Sequence, residues 1–295
     1  MTSEGAPVVE IRDLRVHYGQ KKVLGGVDLR LEPGEALALI GRNGVGKSSL
    51  TRCLLGQQKP SGGSVRVFGQ DVWRRRAALM ERCGVVPEDG DAPPAMTPRQ
   101  LARFSAPLYP TWDRGGFTAR LERFSIPLGT PFGQLSRGQK TQVMFALALA
   151  SSPEFLILDD PTLGLDAVAR RAVFEELVDE LADRGTTLFF TSHDLPGIES
   201  VATRVAILSD GALPVDEDLE SLKSRHRWIL VDEDTDVGPL GPTEESSFGR
   251  RRRVLVSRWD QEEAARLLGP APEVQAASLE EIVVSLGDVG SGAAA

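Results

Sequence analysis

One segment of eight residues, at positions 41–48, most constrains what this chain can fold into. It reads Gly-Arg-Asn-Gly-Val-Gly-Lys-Ser and lies between the apolar run at residues 36–40 and a helical pattern. Glycines at such a turn let the backbone pass from a buried strand directly into a helix. Further short apolar runs stand at residues 155–158, 188–190 and 205–208. Their near-continuous apolarity is typical of strands covered on both faces, so the sequence predicts an α/β fold with a mostly parallel core sheet.

Two other patterns interrupt this alternation. Residues 8–18 alternate between apolar and polar side chains, which predicts an antiparallel pair with residues 23–31. From about residue 91 to residue 150 the pattern is helical. Thr97 starts a helix as part of a capping box, and Leu101 and Phe104 are predicted to give that helix one apolar face. We therefore expect a main domain over residues 7–222, with an antiparallel β region and a helical subdomain at about 91–150.

The chain changes character after about residue 225. Residues 232–248 are acidic and rich in Gly and Pro, which predicts a surface loop or linker. Residues 254–256 resemble a strand, and residues 260–268 and 278–286 resemble helices. We expect a small C-terminal α/β appendage over residues 225–288 and a flexible tail at 289–295.

Composition excludes several classes of protein. A net charge of −8 and a pI of about 5.1 argue against a nucleic-acid partner, which usually needs a basic face. No apolar run approaches the roughly 18 residues that span a bilayer, and residues 1–9 have no signal-peptide core. We expect a cytosolic product that reaches a membrane only through a partner. Cys53 and Cys83 lack metal-ligand spacing and are predicted to be reduced packing residues.

The segment at 41–48 fits the pattern of a phosphate-binding loop, or P-loop. Its backbone N–H groups can turn inward onto phosphate oxygens, and the following helix adds positive potential there. Lys47 would reach the β- and γ-phosphates, and Ser48 would offer its hydroxyl to Mg²⁺. Asp159 ends a predicted buried strand, where a carboxylate can hold the shell of the same metal ion.

Residues 135–139, Leu-Ser-Arg-Gly-Gln, allow two interpretations. In the first, Ser136 and Gln139 form a capping box at the start of a helix. In the second, this helix N-terminus faces a phosphate. Both can hold, because a capped N-terminus still presents free N–H groups. The order of the motifs along the chain, with the P-loop first and Asp159 last, favours the second interpretation.

With these motifs in order, residues 8–222 resemble the ATP-binding subunits of ABC transporters, and residues 108–113 resemble an exporter-like subgroup with separate membrane subunits. Residues 135–139 resemble the ABC signature, residues 163–166 the D-loop, His193 the switch histidine, and Tyr18 the aromatic residue that stacks on adenine. The resemblance implies the P-loop NTPase fold of an ABC cassette and a set of nucleotide-binding residues: Tyr18, Gly41, Asn43, Gly44, Val45, Gly46, Lys47, Ser48, Ser49, Ser136, Gly138, Gln139 and Asp166. It also implies catalytic residues, which are Lys47, Glu88, Asp160 and His193, and metal ligands, which are Ser48, Glu88 and Asp159.

Two residues depart from the family pattern. Asp159 corresponds to the Walker B aspartate of the family. ABC ATPases usually have Glu directly after it, where it polarises the attacking water, but this chain has Asp160. The carboxylate of Asp160 lies one methylene nearer the backbone than that of Glu would. We expect this to slow hydrolysis unless the loop brings Asp160 closer to the nucleotide. Glu88 replaces the usual Q-loop glutamine and cannot donate a hydrogen bond when it is ionised.

The resemblance implies a Mg²⁺-dependent ATPase that drives transport. Two such subunits, identical or different, would close head to tail over two ATP molecules and open after hydrolysis. An integral membrane permease would convert that cycle into substrate movement, which would place the chain on the inner face of the cell membrane. The alternatives are a soluble ABC ATPase and an ATP switch that hydrolyses slowly, the latter suggested by Asp160.

Overall fold

The computed structural model describes residues 6–192, 194–269 and 272–289. The chain divides into two compact units, Met1–Val215 and Asp216–Ala295. The domain limits expected from the sequence, 7–222 and 225–288, remain predictions, and the predicted tail lies almost entirely outside the described residues.

The first unit contains two sheets, and the last strand of its core sheet continues for three residues beyond the boundary at Val215. An antiparallel sheet has the strand order β2-β1-β4-β5, and the core sheet has the order β10-β9-β3-β8-β7-β6. The strands are β1 (Val9–Tyr18), β2 (Lys21–Leu31), β3 (Ala36–Ile40), β4 (Gly62–Val67), β5 (Gln70–Asp71), β6 (Cys83–Val86), β7 (Phe155–Asp159), β8 (Thr187–Thr191), β9 (Arg204–Ser209) and β10 (Ala212–Asp218).

Helices cover these sheets and form a separate helical region. The described helices of this unit are α1 (Lys47–Leu54), α2 (Val72–Met80), α3 (Pro98–Ser105), α4 (Arg114–Arg123), α5 (Arg137–Ala150), α6 (Ala167–Arg184) and α7 (Leu195–Val201). Of these, α3, α4 and α5 make up the region between β6 and β7. A helical insertion in the α/β fold was expected at this place.

The parallel core is confirmed. Strands β6, β7, β8, β3 and β9 pair in parallel, in that order across the sheet. Every residue of β3 and β8 is buried, as near-continuous apolarity predicts for strands covered on both faces. Because the strands are parallel, β3, β7 and β8 all end at the same edge of the sheet. The P-loop follows β3 at that edge, and Asp159 is the last residue of β7.

The antiparallel pair of β1 and β2 is also confirmed, with Val9 opposite Leu31 and Tyr18 opposite Lys21. The alternating side chains Ile11, Leu14 and Val16 are buried in the hydrophobic core. Cys53 and Cys83 are buried and free, and burial raises their thiol pKa values to about 11 and about 12. They are packing residues, as predicted.

The helical region shows one error in the sequence prediction. Thr97 and Gln100 form the expected capping box, with Pro98 in the first turn, and Leu101 is buried. Phe104, however, is 67% exposed. The helix is only eight residues long, and Leu101 with Ala102 forms its buried face, so the side chain of Phe104 points to solvent.

The second unit contains a four-stranded sheet of order β12-β13-β11-β14. Its elements are α8 (Leu219–Arg225), β11 (Arg227–Asp232), β12 (Pro242–Phe248), β13 (Arg251–Val256), α9 (Gln261–Leu268), β14 (Glu273–Ala276) and α10 (Leu279–Val289). The predicted strand at 254–256 and both predicted helices are present. The prediction of a loop throughout 232–248 was wrong, because residues 242–248 form the edge strand β12. Its side chains are mostly exposed, so it needs no apolar alternation.

Candidate functional site

A pocket of about 280 Å³ opens where β3, β7 and β8 end. It collects side chains and backbone from the P-loop, the ends of three strands and the segment after β6. Most of the predicted site residues line it, namely Tyr18, Asn43, Gly44, Gly46, Lys47, Ser48, Ser49, Glu88, Asp159 and Asp160. The fold thus brings together residues that lie more than 100 positions apart in the sequence.

The P-loop has a backbone that requires glycine. Gly44 and Gly46 have φ angles of +80° and +119°, which L side chains rarely adopt. A Cβ atom on Gly46 would lie 2.8 Å from Leu24 Cδ2, and one on Gly41 would lie 2.6 Å from the carbonyl oxygen of Leu208. The loop therefore has no room for side chains at these positions. Such a glycine-lined concavity beside a helix N-terminus suits a phosphate chain.

Lys47 is the buried cation of the pocket. Its Nζ donates hydrogen bonds to the carbonyl oxygens of Gly41, at 2.5 Å, and Arg42, at 3.2 Å. Burial lowers the pKa of Lys47, while the negative charges of Asp160, Asp159 and Glu88 oppose that shift. The ammonium group is thus held inside the loop that would bind phosphates, close to the acidic side of the pocket.

Asp159 and Asp160 lie side by side at the end of β7, and Thr191 of β8 contacts both. The Thr191 hydroxyl donates to Asp159 Oδ1 at 2.6 Å and accepts the backbone N–H of Asp160 at 2.9 Å. The Asp160 N–H also lies 3.1 Å from the Thr191 carbonyl oxygen. Asp160 is buried and has a φ of +50°, in the left-handed region. The backbone conformation therefore changes at Asp160, from the extended form of β7 to the left-handed region.

Glu88 lies just after β6, and its side chain is exposed. It lines the same pocket as Ser48 and Asp159, so hydroxyl and carboxylate oxygens face one space. These are the hard oxygen ligands that Mg²⁺ prefers, so the donor set fits this ion. Within the residues that the structure describes, however, no three His, Cys, Asp or Glu side chains are close enough to hold one ion together.

Tyr18, at the end of β1, lies at the mouth of the pocket with 48% of its surface exposed. Its hydroxyl group is 3.2 Å from Ser49 Oγ and donates to Gln58 Oε1 at 2.7 Å. These contacts fix the ring beside the first turn of α1.

The remaining predicted residues do not line the pocket. Ser136 and Gln139 form the capping box of α5, and the Asp166 side chain accepts the Ala169 N–H at 2.8 Å as the N-cap of α6. Gly138 faces Leu165, since a Cβ atom added there would lie 3.1 Å from Leu165 Cδ2. Gly41 and Val45 belong to the P-loop but do not line the pocket, and Val45 packs against the hydrophobic core. His193 lies outside the described residues.

Three residues line the pocket that the sequence analysis missed, and these are Lys21, Val23 and Thr191. A signal for Thr191 existed, because it ends the buried strand before His193, as Asp159 ends its own strand. The pairing of Asp159 with Thr191 depends on the register of β7 and β8, which the sequence does not show.

A glycine loop around a buried lysine, at the carboxyl edge of a parallel sheet and followed by two aspartates, defines a P-loop ATPase. The inserted helical region and the antiparallel sheet are those of an ABC cassette. The chain matches the family described as ABC transporter over residues 24–163. It is 30% identical over 286 residues to the ABC transporter ATP-binding protein YtrB of Bacillus subtilis (strain 168), covering 94% of this chain and 97% of that protein.

Solved structures show the same architecture. An ATP-binding subunit of an ABC transporter superposes with a TM-score of 0.68 at 26% identity, covering 74% of this chain and 92% of that one. CbiO1 from Clostridium perfringens, part of the ABC transporter complex CbiONQ, superposes with a TM-score of 0.62 at 27% identity, covering 72% and 89%.

The chain therefore belongs to the ATP-binding proteins of ABC transporters. It is an ATP-binding and ATP-hydrolysing subunit that drives transport. The alternatives of a soluble ATPase or an uncoupled switch are not favoured. Among the described helices, none has the length and apolarity needed to cross a bilayer.

Proposed function

We propose that this chain hydrolyses ATP with Mg²⁺ held by Ser48, Glu88 and Asp159. The observation that carries this proposal is the convergence of these oxygen ligands with Lys47 and Asp160 in one pocket. A Mg²⁺ ion held by these residues would partly neutralise the negative charge of the phosphate chain. The glycine-lined P-loop and Lys47 bind the phosphate chain, and Tyr18 stacks on the adenine.

Asp160 is the proposed general base that orients the attacking water. Its carboxylate stands one residue beyond Asp159, in the same pocket. His193, which follows β8 in the sequence, is proposed to contact the γ-phosphate. Glu88, which follows β6, is proposed to bind the metal ion. Binding and proton transfer thus fall to different residues. Lys47 supplies positive charge to the phosphates, and Asp160 accepts the proton of the attacking water.

A second ATP-binding subunit would complete the site. Ser136, Gly138, Gln139 and Asp166 do not line the pocket of their own chain, and the free N–H groups at the start of α5 are available to another ligand. We propose that they face the γ-phosphate bound by a partner subunit, identical or different, across a head-to-tail interface.

The membrane partner is proposed to be an integral membrane permease on the inner face of the cell membrane. A cavity of about 570 Å³ between α3 and α4 offers a docking place for it. This cavity is lined by three arginines, Arg99, Arg103 and Arg114, together with the aromatic residues Trp112 and Phe117. In the described part of the chain, none of the three arginines pairs with an acidic side chain. Charge complementarity therefore favours a permease segment that combines acidic and apolar side chains.

Phosphate release tests the catalytic part of the proposal. The purified chain should release phosphate from ATP only with Mg²⁺. The variant Lys47→Ala should bind ATP about 100-fold more weakly, as expected for the loss of ~3 kcal/mol from hydrogen bonds to a charged group. Lys59→Ala, which removes an exposed lysine, is the matched control. Equal affinity of both variants would remove Lys47 from the site.

Co-purification tests the membrane part. The tagged chain should bring a multi-span membrane protein out of detergent extracts. Reversing one charge of the cavity, with Arg103→Glu, should reduce the yield of that protein, whereas Arg74→Glu on α2 should not. Equal yields from both variants would move the contact to another surface.

A further inference from the structure

We propose that Thr191 is a positioning residue for the metal site, because its hydroxyl group links the carboxylate of Asp159 to the backbone of Asp160. This inference rests on the proposed function, in which Asp159 holds Mg²⁺ and Asp160 orients water. Thr191 itself touches neither nucleotide phosphate nor the reacting water in this scheme; it acts through its two neighbours.

The hydrogen-bond pattern leaves this hydroxyl no rotational choice. A threonine hydroxyl has one proton, and that proton is donated to Asp159 Oδ1 at 2.6 Å. One of its lone pairs accepts the Asp160 N–H at 2.9 Å. Thr191 is only 1% exposed, so water cannot replace these bonds without opening the core. The short O–H···O⁻ contact is a charge-assisted bond, which is stronger than a neutral one.

The consequence for Asp159 is an oriented carboxylate. One of its oxygens accepts the Thr191 hydroxyl, which leaves the other oxygen for a ligand in the pocket that Asp159 lines. Residues that orient a metal ligand in this way commonly change metal affinity or activity by about 10- to 100-fold when they are replaced.

The consequence for Asp160 is a fixed backbone. Its φ of +50° is sparsely populated by residues other than glycine, so the loop needs contacts that hold it. The hydroxyl and the carbonyl oxygen of Thr191 share the Asp160 N–H, at 2.9 and 3.1 Å. One side chain thus sets the orientation of the metal ligand and the start of the loop that carries the proposed base.

Three variants separate this role from a general loss of stability. Thr191→Val keeps the branched shape and removes the hydroxyl, while Thr191→Ser keeps the hydroxyl. Thr187→Val is the matched control, because Thr187 is a buried residue of the same strand whose hydroxyl accepts the Gly34 N–H at 3.0 Å, away from the pocket. Each variant is measured in the full chain.

The readouts are Mg²⁺ titrations of fluorescent ATP analogue binding, kcat and KM for ATP at saturating Mg²⁺, and Tm without nucleotide. We expect Thr191→Val to need about 10- to 100-fold more Mg²⁺ for half-maximal binding, with a lower kcat. Thr191→Ser should restore the wild-type requirement. Thr187→Val should lower Tm and leave the Mg²⁺ requirement unchanged.

The inference is overturned if Thr191→Val keeps the wild-type Mg²⁺ requirement, or if Thr187→Val shifts it equally. Asp159→Asn distinguishes this failure from failure of the proposed function. A Mg²⁺ requirement unchanged in Asp159→Asn would reject Asp159 as a ligand. A requirement shifted in Asp159→Asn but not in Thr191→Val would reject only the role of Thr191.

Discussion

Arg120 of α4 and Glu176 of α6 form an ion pair with Nε and Oε2 2.9 Å apart. The pair is shielded from solvent, with side-chain exposures of 13% and 5%, and Arg120 also lies 3.7 Å from Glu180, which is 2% exposed. Arg123 approaches Glu176 from the solvent side, at 2.5 Å. This group of charges joins α4 of the helical region to α6, inside a single unit of the chain.

Removing Arg120 should destabilise the protein strongly. Arg120→Ala leaves Glu176 and Glu180 buried with less positive charge, and breaking a buried pair from one side costs about 3–5 kcal/mol. Arg171→Ala is the matched control, because Arg171 pairs with Glu175 at 2.8 Å on the exposed face of α6, the helix that carries Glu176. That exposed pair should contribute little to stability, because solvent screens the two charges. Urea unfolding of both variants measures the difference, and equal midpoints would show that the buried charges are solvated.

Replacing Asp160 should separate binding from turnover. Asp160→Asn removes the charge at constant size and tolerates the left-handed backbone, so ATP binding should survive. The rate of phosphate release should fall by about 100-fold or more if Asp160 is the general base. An ATP-closed dimer should then accumulate, which size-exclusion chromatography detects. Wild-type turnover in this variant would exclude Asp160 from catalysis.

Asp160→Glu should lower the rate rather than raise it. The φ of +50° favours Asp and Asn, whose short side chains can bond to the local backbone, while Glu carries a cost of about 1–2 kcal/mol there. The longer side chain would also crowd the buried pocket. A rate above wild type would show that the short side chain of Asp160 limits catalysis.

The stability of the second unit should depend on pH through His226. This residue is fully buried, and its Nδ1 lies 2.7 Å from the carbonyl oxygen of Leu222. Burial lowers the pKa of His226 below its ordinary value of 6.5, so the folded unit stays neutral where the unfolded chain gains a proton. Stability is therefore complete above that ordinary value and is lost as the pH falls through it toward the folded pKa.

His226→Asn can keep a donor for Leu222 and does not titrate. Its unfolding midpoint should change less than the wild-type midpoint between about pH 7.5 and about pH 5.5, where an ordinary histidine takes up its proton. Parallel pH slopes for wild type and His226→Asn would contradict this assignment.

The parts of the fold that depend on local signals could be predicted from the sequence. The capping boxes at Thr97 and Ser136 involve residues three positions apart, and the buried strands carry their apolarity within five residues. Phe104 and β12 could not be predicted in this way. The first is exposed because α3 buries another face, and the second is an edge strand whose exposed side chains carry no apolar pattern.

The site followed the same rule. The P-loop was predicted because its residues are consecutive, and Asp159 because it ends a strand. The contact of Thr191 with Asp159 needs the register of two strands whose residues are 32 positions apart, and the left-handed backbone of Asp160 needs the loop that follows. No spacing within a short segment encodes either feature.

The capping box of α5 has a consequence for assembly. Ser136 Oγ accepts the Gln139 N–H at 3.2 Å, and Gln139 Oε1 accepts the Ser136 N–H at 3.1 Å. These two bonds already immobilise the serine and glutamine side chains in the single chain. The entropy cost of ordering them is thus met during folding, not during association. In the proposed dimer, a nucleotide on the second subunit would meet a helix start that is already ordered, so nucleotide affinity at the joint interface should depend on how the two chains align rather than on any rearrangement of this helix start.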